Sequence, residues 1–76
     1  MRVISQDGSV DMPYEKIALY LSCKQIVVKH EETKYLLATY STREKAIKAM
    51  EECRWTWWKH NGFMIFQFPA DEDIEV

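Results

Sequence analysis

The chain has 76 residues, 47% hydrophobic and 29% charged, a composition that fits one small globular domain and excludes an apolar-poor disordered chain. A domain this size buries only about 60% of the surface its unfolded chain exposes, so a thin core is expected and a deep, enclosed enzyme site is not. Ten Lys and Arg against twelve Asp and Glu give a formal charge of -2, which supplies no basic excess for collecting phosphates and argues against a nucleic-acid partner.

No apolar run approaches the roughly 20 residues that span a bilayer, and residues 1–8 lack the apolar core of a signal peptide. The expectation is a cytoplasmic protein with no membrane partner. Cys23 and Cys53 are fewer cysteines than a small secreted scaffold carries, and both read as reduced thiols.

In chain order, residues 2–5 contain β-branched Val3 and Ile4 and lead into Asp7-Gly8, a pair that tolerates positive φ. Residues 9–12 return as a second short strand, stopped at Pro13, which has no N–H for a ladder. Between Ile17 and Tyr40 the chain is rich in Ile, Val, Leu and Tyr, with polar breaks at 22–25 and 31–34. Three strands fit, at 17–21, 26–30 and 34–40, as an antiparallel meander, with helix an open alternative for 17–21.

Ser41-Thr42-Arg43-Glu44 reads as a capping box, with Ser41 at the N-cap and Glu44 three residues on. The helix that follows is amphipathic: Ala46, Ala49, Met50, Cys53 and Trp57 share one face, and Lys45, Lys48, Glu52 and Lys59 meet water. Asn61-Gly62 ends it, and 63–68 alternates as a last strand up to Pro69. The expected fold is α+β: one small, mainly antiparallel sheet of about five to six strands with one helix on one face, in the order ββ-βββ-α-β. The domain covers 1–69, and the acidic tail 70–76 is expected to fray.

One helix cannot cover both faces of such a sheet. Phe63 and Ile65 point one way along the last strand, and Met64, Phe66 and Phe68 the other. Trp55, Trp57 and Trp58 stand about 100° apart per residue around the helix, so they cannot all face one core. Trp57 is placed in the core with Trp58 beside it and Trp55 along the surface under a lysine stem. The sharper reading makes Trp55, Trp58, Met64, Phe66 and Phe68 a protein interface, because aromatic residues concentrate in interface centres.

With two glycines there is no phosphate loop or nucleophile elbow, and His30 and His60 read as solvent-facing, so no catalytic residue, cofactor or small-molecule substrate is assigned. Cys23 to His30 and Cys53 to His60 share a pattern of Cys, a basic residue, then Lys-His. Two Cys and two His could complete a tetrahedral zinc site, making a small metal-binding or regulatory module the alternative reading. The spacing is not the usual short clip, and one copy reads as strand and the other as helix, so no metal site is expected. Asp7, Asp11, Tyr14 and Glu15 near one end and Asp71, Glu72 and Asp73 near the other are candidates for an acidic patch suited to a basic partner.

Residues 1–8 with Pro13-Tyr14-Glu15, Tyr40-Ser41-Thr42-Arg43-Glu44-Lys45-Ala46 with Lys48-Ala49-Met50, and Phe66 to Glu72 resemble a set of short uncharacterised proteins of Gram-positive bacteria and their prophages. The resemblance covers about half the chain. It implies a cytosolic, often phage-associated protein and transfers no catalytic residue. The connection 55–62 is shorter here than in that set. Taken together, the sequence reads as a non-enzymatic protein acting through protein–protein contacts, as a homo-oligomer or with a protein partner.

Overall fold

Six strands and one helix account for most of the chain in the computed structural model, which describes residues 1–60 and 64–75. In order they are β1 (Arg2–Ile4), β2 (Asp11–Pro13), a 3-10 turn (Tyr14–Lys16), β3 (Ala18–Ser22), β4 (Gln25–His30), β5 (Thr33–Thr39), α1 (Arg43–His60), β6 (Ile65–Gln67) and a second 3-10 turn (Asp71–Asp73). The α+β class and the element order agree with expectation. The single sheet does not: the strands form two three-stranded sheets, ordered β2-β1-β6 and β3-β4-β5. Pro13 ends β2 without a ladder donor and the chain bends at once into the 3-10 turn, so β3 starts a separate ladder.

β1 and β2 pair antiparallel through a turn in which Gly8 takes φ +82, the left-handed conformation that glycine adopts at least cost. β1 and β6 pair parallel, with Val3 opposite Phe66, so the two ends of the chain meet in one sheet. β3, β4 and β5 form the expected antiparallel meander, and residues 18–22 are strand, not helix. The seam between the sheets is closed by Gln6. Its N–H donates to the Leu37 carbonyl at 2.7 Å, its Oε1 accepts from the Thr39 N–H at 3.1 Å, and its Nε2 donates to the Pro69 carbonyl at 3.1 Å.

The helix starts one residue later than the capping-box reading. Thr42 Oγ1 accepts from the Lys45 N–H at 3.1 Å, so Thr42 is the N-cap, while the Ser41 N–H donates to Asp71 Oδ1 at 2.8 Å. Glu44 then lies in the first turn, where its charge meets the positive end of the helix dipole. Ala46, Ala49 and Cys53 are fully buried and Met50 is half-buried, as the periodicity indicates. Small side chains on this stripe let α1 pack closely on β4, whose Ile26 and Val28 are buried beside it. The predicted stop at Asn61-Gly62 lies outside the described residues.

The acidic tail is docked, which corrects the expected fraying. Ile74 is 4% exposed and belongs to the core with Val3, Leu37, Tyr40 and Phe68. Burying one such side chain stabilises by roughly 1.5–3 kcal/mol, enough to hold a short segment that also bonds through Asp71. Asp71 accepts from Ser41, and Lys45 Nζ donates to the Asp71 carbonyl at 3.0 Å.

The turn between β4 and β5 carries local strain. Glu31 (φ 51) and Glu32 (φ 71) both sit in the left-handed region, as a two-residue turn of this hand requires, where Asn-Gly is the favoured pair. Replacing both, Glu31→Asn with Glu32→Gly, is expected to raise stability by about 1–2 kcal/mol, read as a higher urea midpoint at unchanged slope.

Candidate interaction surface

The last turns of α1 and the entry to β6 lie at one end of the molecule. Residues 60 and 64 are only four steps apart, at most roughly 14 Å even if fully extended. The Arg2 N–H donates to the Met64 carbonyl at 3.3 Å, the Tyr14 N–H donates to the Met1 carbonyl at 2.9 Å, and the Tyr14 ring lies 5.9 Å from that of Trp57. Trp57 is therefore a bridge between helix and body rather than a core residue, and it keeps a partly exposed edge.

Trp55 and Trp58 face outward at 56% and 68% exposure, with their rings stacked at 5.5 Å. One turn of helix separates positions three apart, which is why these rings meet. Lys59 Nζ lies 5.6 Å from the Trp55 ring, the lysine placement expected from the sequence. Met64 and Ile65 are also exposed at this end.

Side chains alternate along β6, but the inward face is the one the sequence offers as an interface. Phe68 is 1% exposed and sits in the core, and Phe66 is half-buried with its ring edge-on to Phe68 at 5.1 Å. The register explains it: Phe66 lies opposite Val3, the fully buried residue of β1, so Phe66 and Phe68 turn inward while Met64, ahead of the strand, stays exposed. Of the five interface candidates, Trp55, Trp58 and Met64 are at the surface and Phe68 is not. Ile65, which alternation sets on the face opposite the β6 interface candidates, joins the exposed set, and Phe63 lies outside the described residues.

The zinc constellation is not assembled. Cys23 lies in the turn before β4 and His30 is the last residue of that six-residue strand, so roughly 17 Å of extended backbone stands between them. Cys53 and His60 are two turns apart on α1, roughly 10 Å along its axis. No cluster of three His, Cys, Asp or Glu side chains suited to a metal occurs among the described residues. Burial pushes the Cys53 thiol up to about 12, so it stays protonated and is a poor nucleophile. Burial likewise raises the Tyr40 phenol, whose hydroxyl donates to the Pro69 carbonyl at 2.8 Å.

The expected acidic patch is largely consumed internally. Asp7 Oδ1 accepts from the Ser9 hydroxyl at 2.7 Å, the Ser9 N–H at 2.9 Å and the Ser5 hydroxyl at 2.8 Å. Asp11 pairs with Arg2, Glu15 accepts from the Met1 ammonium at 2.8 Å, and Asp71 serves Ser41 and Lys45. A shallow depression lined by Gln6, Asp7 and residues 36–39 lies at the seam of the sheets, its one carboxylate already engaged. No described helix is long and apolar enough to cross a membrane. No family model, curated protein or solved structure matches the chain, so the roles of its residues rest on this geometry.

The different placements of Phe68 and Trp58 make opposite demands on stability. Phe68→Ala is expected to cost about 3–5 kcal/mol in urea unfolding, and Trp58→Ala to change it by less than about 0.5 kcal/mol.

The engaged carboxylates also set an acid limit. The Ser9 hydroxyl, helped by the Ser9 N–H and the Ser5 hydroxyl, holds Asp7 down to about 2. The Met1 ammonium lowers Glu15, and the Ser41 N–H lowers Asp71. Each group is more acidic folded than unfolded. Its stabilisation is complete above the ordinary values of 3.8 for Asp and 4.5 for Glu, and is lost as pH falls through the depressed ones. The urea midpoint is expected to drop from about pH 4.5 towards pH 2, and Asp7→Asn to remove part of that drop.

Proposed function

We propose that this is a non-enzymatic interaction protein that works through protein–protein contacts and self-association, with the aromatic end of α1 as its contact surface. The observation that carries the reading is the pair of stacked, outward-facing tryptophans, Trp55 and Trp58, with Met64 and Ile65 exposed at the same end. Two large aromatic rings left in water on a chain with so small a core are an unspent source of binding energy. Aromatic anchors of this kind dominate the energetics of measured interfaces. Phe66 and Phe68 support the surface from beneath, by fixing β6.

A cytoplasmic setting goes with this reading, because the two cysteines remain free thiols. A phage-associated one rests on the resemblance of both ends and the helix start to the Gram-positive and prophage set. The test is sedimentation over a concentration series, with tryptophan emission recorded in parallel. Association is expected to shift emission to the blue, and Trp55→Ala with Trp58→Ala to weaken this contact by roughly 30-fold or more, the equivalent of one interface hot spot. A wild-type chain whose mass and emission ignore concentration refutes self-association through this end.

A further inference from the structure

Among the described residues four strand edges bound the two sheets, and three of them are guarded. β2 carries Asp11 and Pro13, and β6 is only three residues long. β5 carries Lys34, faces an irregularity in the ladder beside Ile26 and Val27, and has its outer groups at Leu37 and Thr39 taken by Gln6. These are the usual protections of an edge. β3 has none. Ala18-Leu19-Tyr20-Leu21-Ser22 holds no charge, no proline and no bulge, and pairs on one side only, with β4. Among the described residues, no backbone bond from outside the sheet reaches residues 18–22.

The register fixes which groups are open. Ser22 opposite Gln25 closes the two-residue turn Cys23-Lys24, so it is a hydrogen-bonded pair, and the ladder alternates from there to Tyr20 opposite Val27 and Ala18 opposite Lys29. The N–H and C=O groups of Leu19 and Leu21 therefore point outward, away from β4. We propose that β3 pairs antiparallel with β3 of a second copy about a two-fold axis at Tyr20, joining the two meanders into one six-stranded sheet.

A second copy is the occupant because the strand is nearly palindromic about Tyr20: small, Leu, Tyr, Leu, small. Across the axis Leu19 meets Leu21 of the other copy as a hydrogen-bonded pair, using the very groups left open, and this happens twice. Tyr20 meets Tyr20 as the close, non-hydrogen-bonded pair. Within residues 18–22 there is no charge to oppose another. Leu19 and Leu21 lie on the face shared with Val28 and Ile26, both fully buried, so the pairing extends the existing core. On the other face the row Tyr20, Val27, Leu36 continues into its symmetry mate. The inference rests on the self-association reading but uses a surface separate from the aromatic end, and the two contacts together build assemblies larger than a dimer.

Disulfide trapping tests it, in a Cys23→Ser background with glutathione disulfide as oxidant. Tyr20→Cys places two thiols on Cα atoms about 4.5–5.5 Å apart, within disulfide reach, whereas Ala18→Cys leaves them roughly 13 Å apart. Tyr20→Cys is expected to convert to covalent dimer while Ala18→Cys stays monomeric, and Trp55→Ala with Trp58→Ala is expected to leave the trapping intact. Tyr20→Lys, a change on the outer face that sets two cations opposite each other, is expected to abolish this contact with the circular dichroism of the monomer retained. Exchange of the Leu19 and Leu21 amides is expected to slow as concentration rises. A wild-type oligomer that Tyr20→Lys leaves unchanged and Tyr20→Cys fails to trap overturns the β3 pairing alone. A wild-type chain that is monomeric at every concentration overturns it together with self-association.

Discussion

Much of the structure depends on a single side chain, Gln6, and on the carbonyl of Pro69 that it shares with Tyr40. Gln6 leaves β1, offers its backbone to Leu37 and its amide oxygen to Thr39, and so fastens the edge of one sheet to the end of a strand in the other. Its amide nitrogen and the Tyr40 hydroxyl both donate to Pro69. Among the described residues these bonds are the polar seam between the two sheets, whose other contact is apolar packing in the shared core. The buried Phe68 and Ile74 stand on either side of that carbonyl in the chain, so the polar seam and the apolar core fix each other.

From this constraint the exposed surfaces follow. Tying residues 69–74 to the body turns Phe68 inward, and the register of β6 against β1 then leaves Ile65 outward. The helix commits its small residues to β4, and its last two turns carry tryptophans that extend past the buried stripe. Gln6 closes the β5 edge, which leaves β3 as the uncovered side of its meander. The aromatic end and the β3 edge are thus consequences of how the core is closed, on opposite accounts: one is surplus apolar area, the other surplus hydrogen-bonding capacity.

The charged groups play a quieter part. Asp7, Asp11, Glu15 and Asp71 look in the sequence like an acidic surface awaiting a basic partner, yet each is held by a donor of its own chain. Short-range geometry decided this. A carboxylate beside two serines in a turn is a local brace, and one beside a helix start is a cap for the neighbouring amide. The acids that remain solvated, such as Glu72 and Asp73, are single charges on a turn.

Local features were legible from the sequence because they depend on near neighbours. The Asp7-Gly8 turn, the meander from 18 to 39, the helix and its Ala46, Ala49 and Cys53 stripe follow from turn chemistry, period-two alternation and period-3.6 spacing. The candidate surface was legible in part: Trp55, Trp58 and Met64 could be singled out as apolar residues beyond what one helix face can bury. Tertiary structure alone decided the rest. Alternation along 63–68 gives two faces but not which is inward, and only pairing with Val3 selects it. The division into two sheets, the docking of Ile74 and the shift of the cap from Ser41 to Thr42, whose neighbour Ser41 is held by Asp71, all turn on contacts between distant segments. Those contacts are set by closure of the core, which no local pattern encodes.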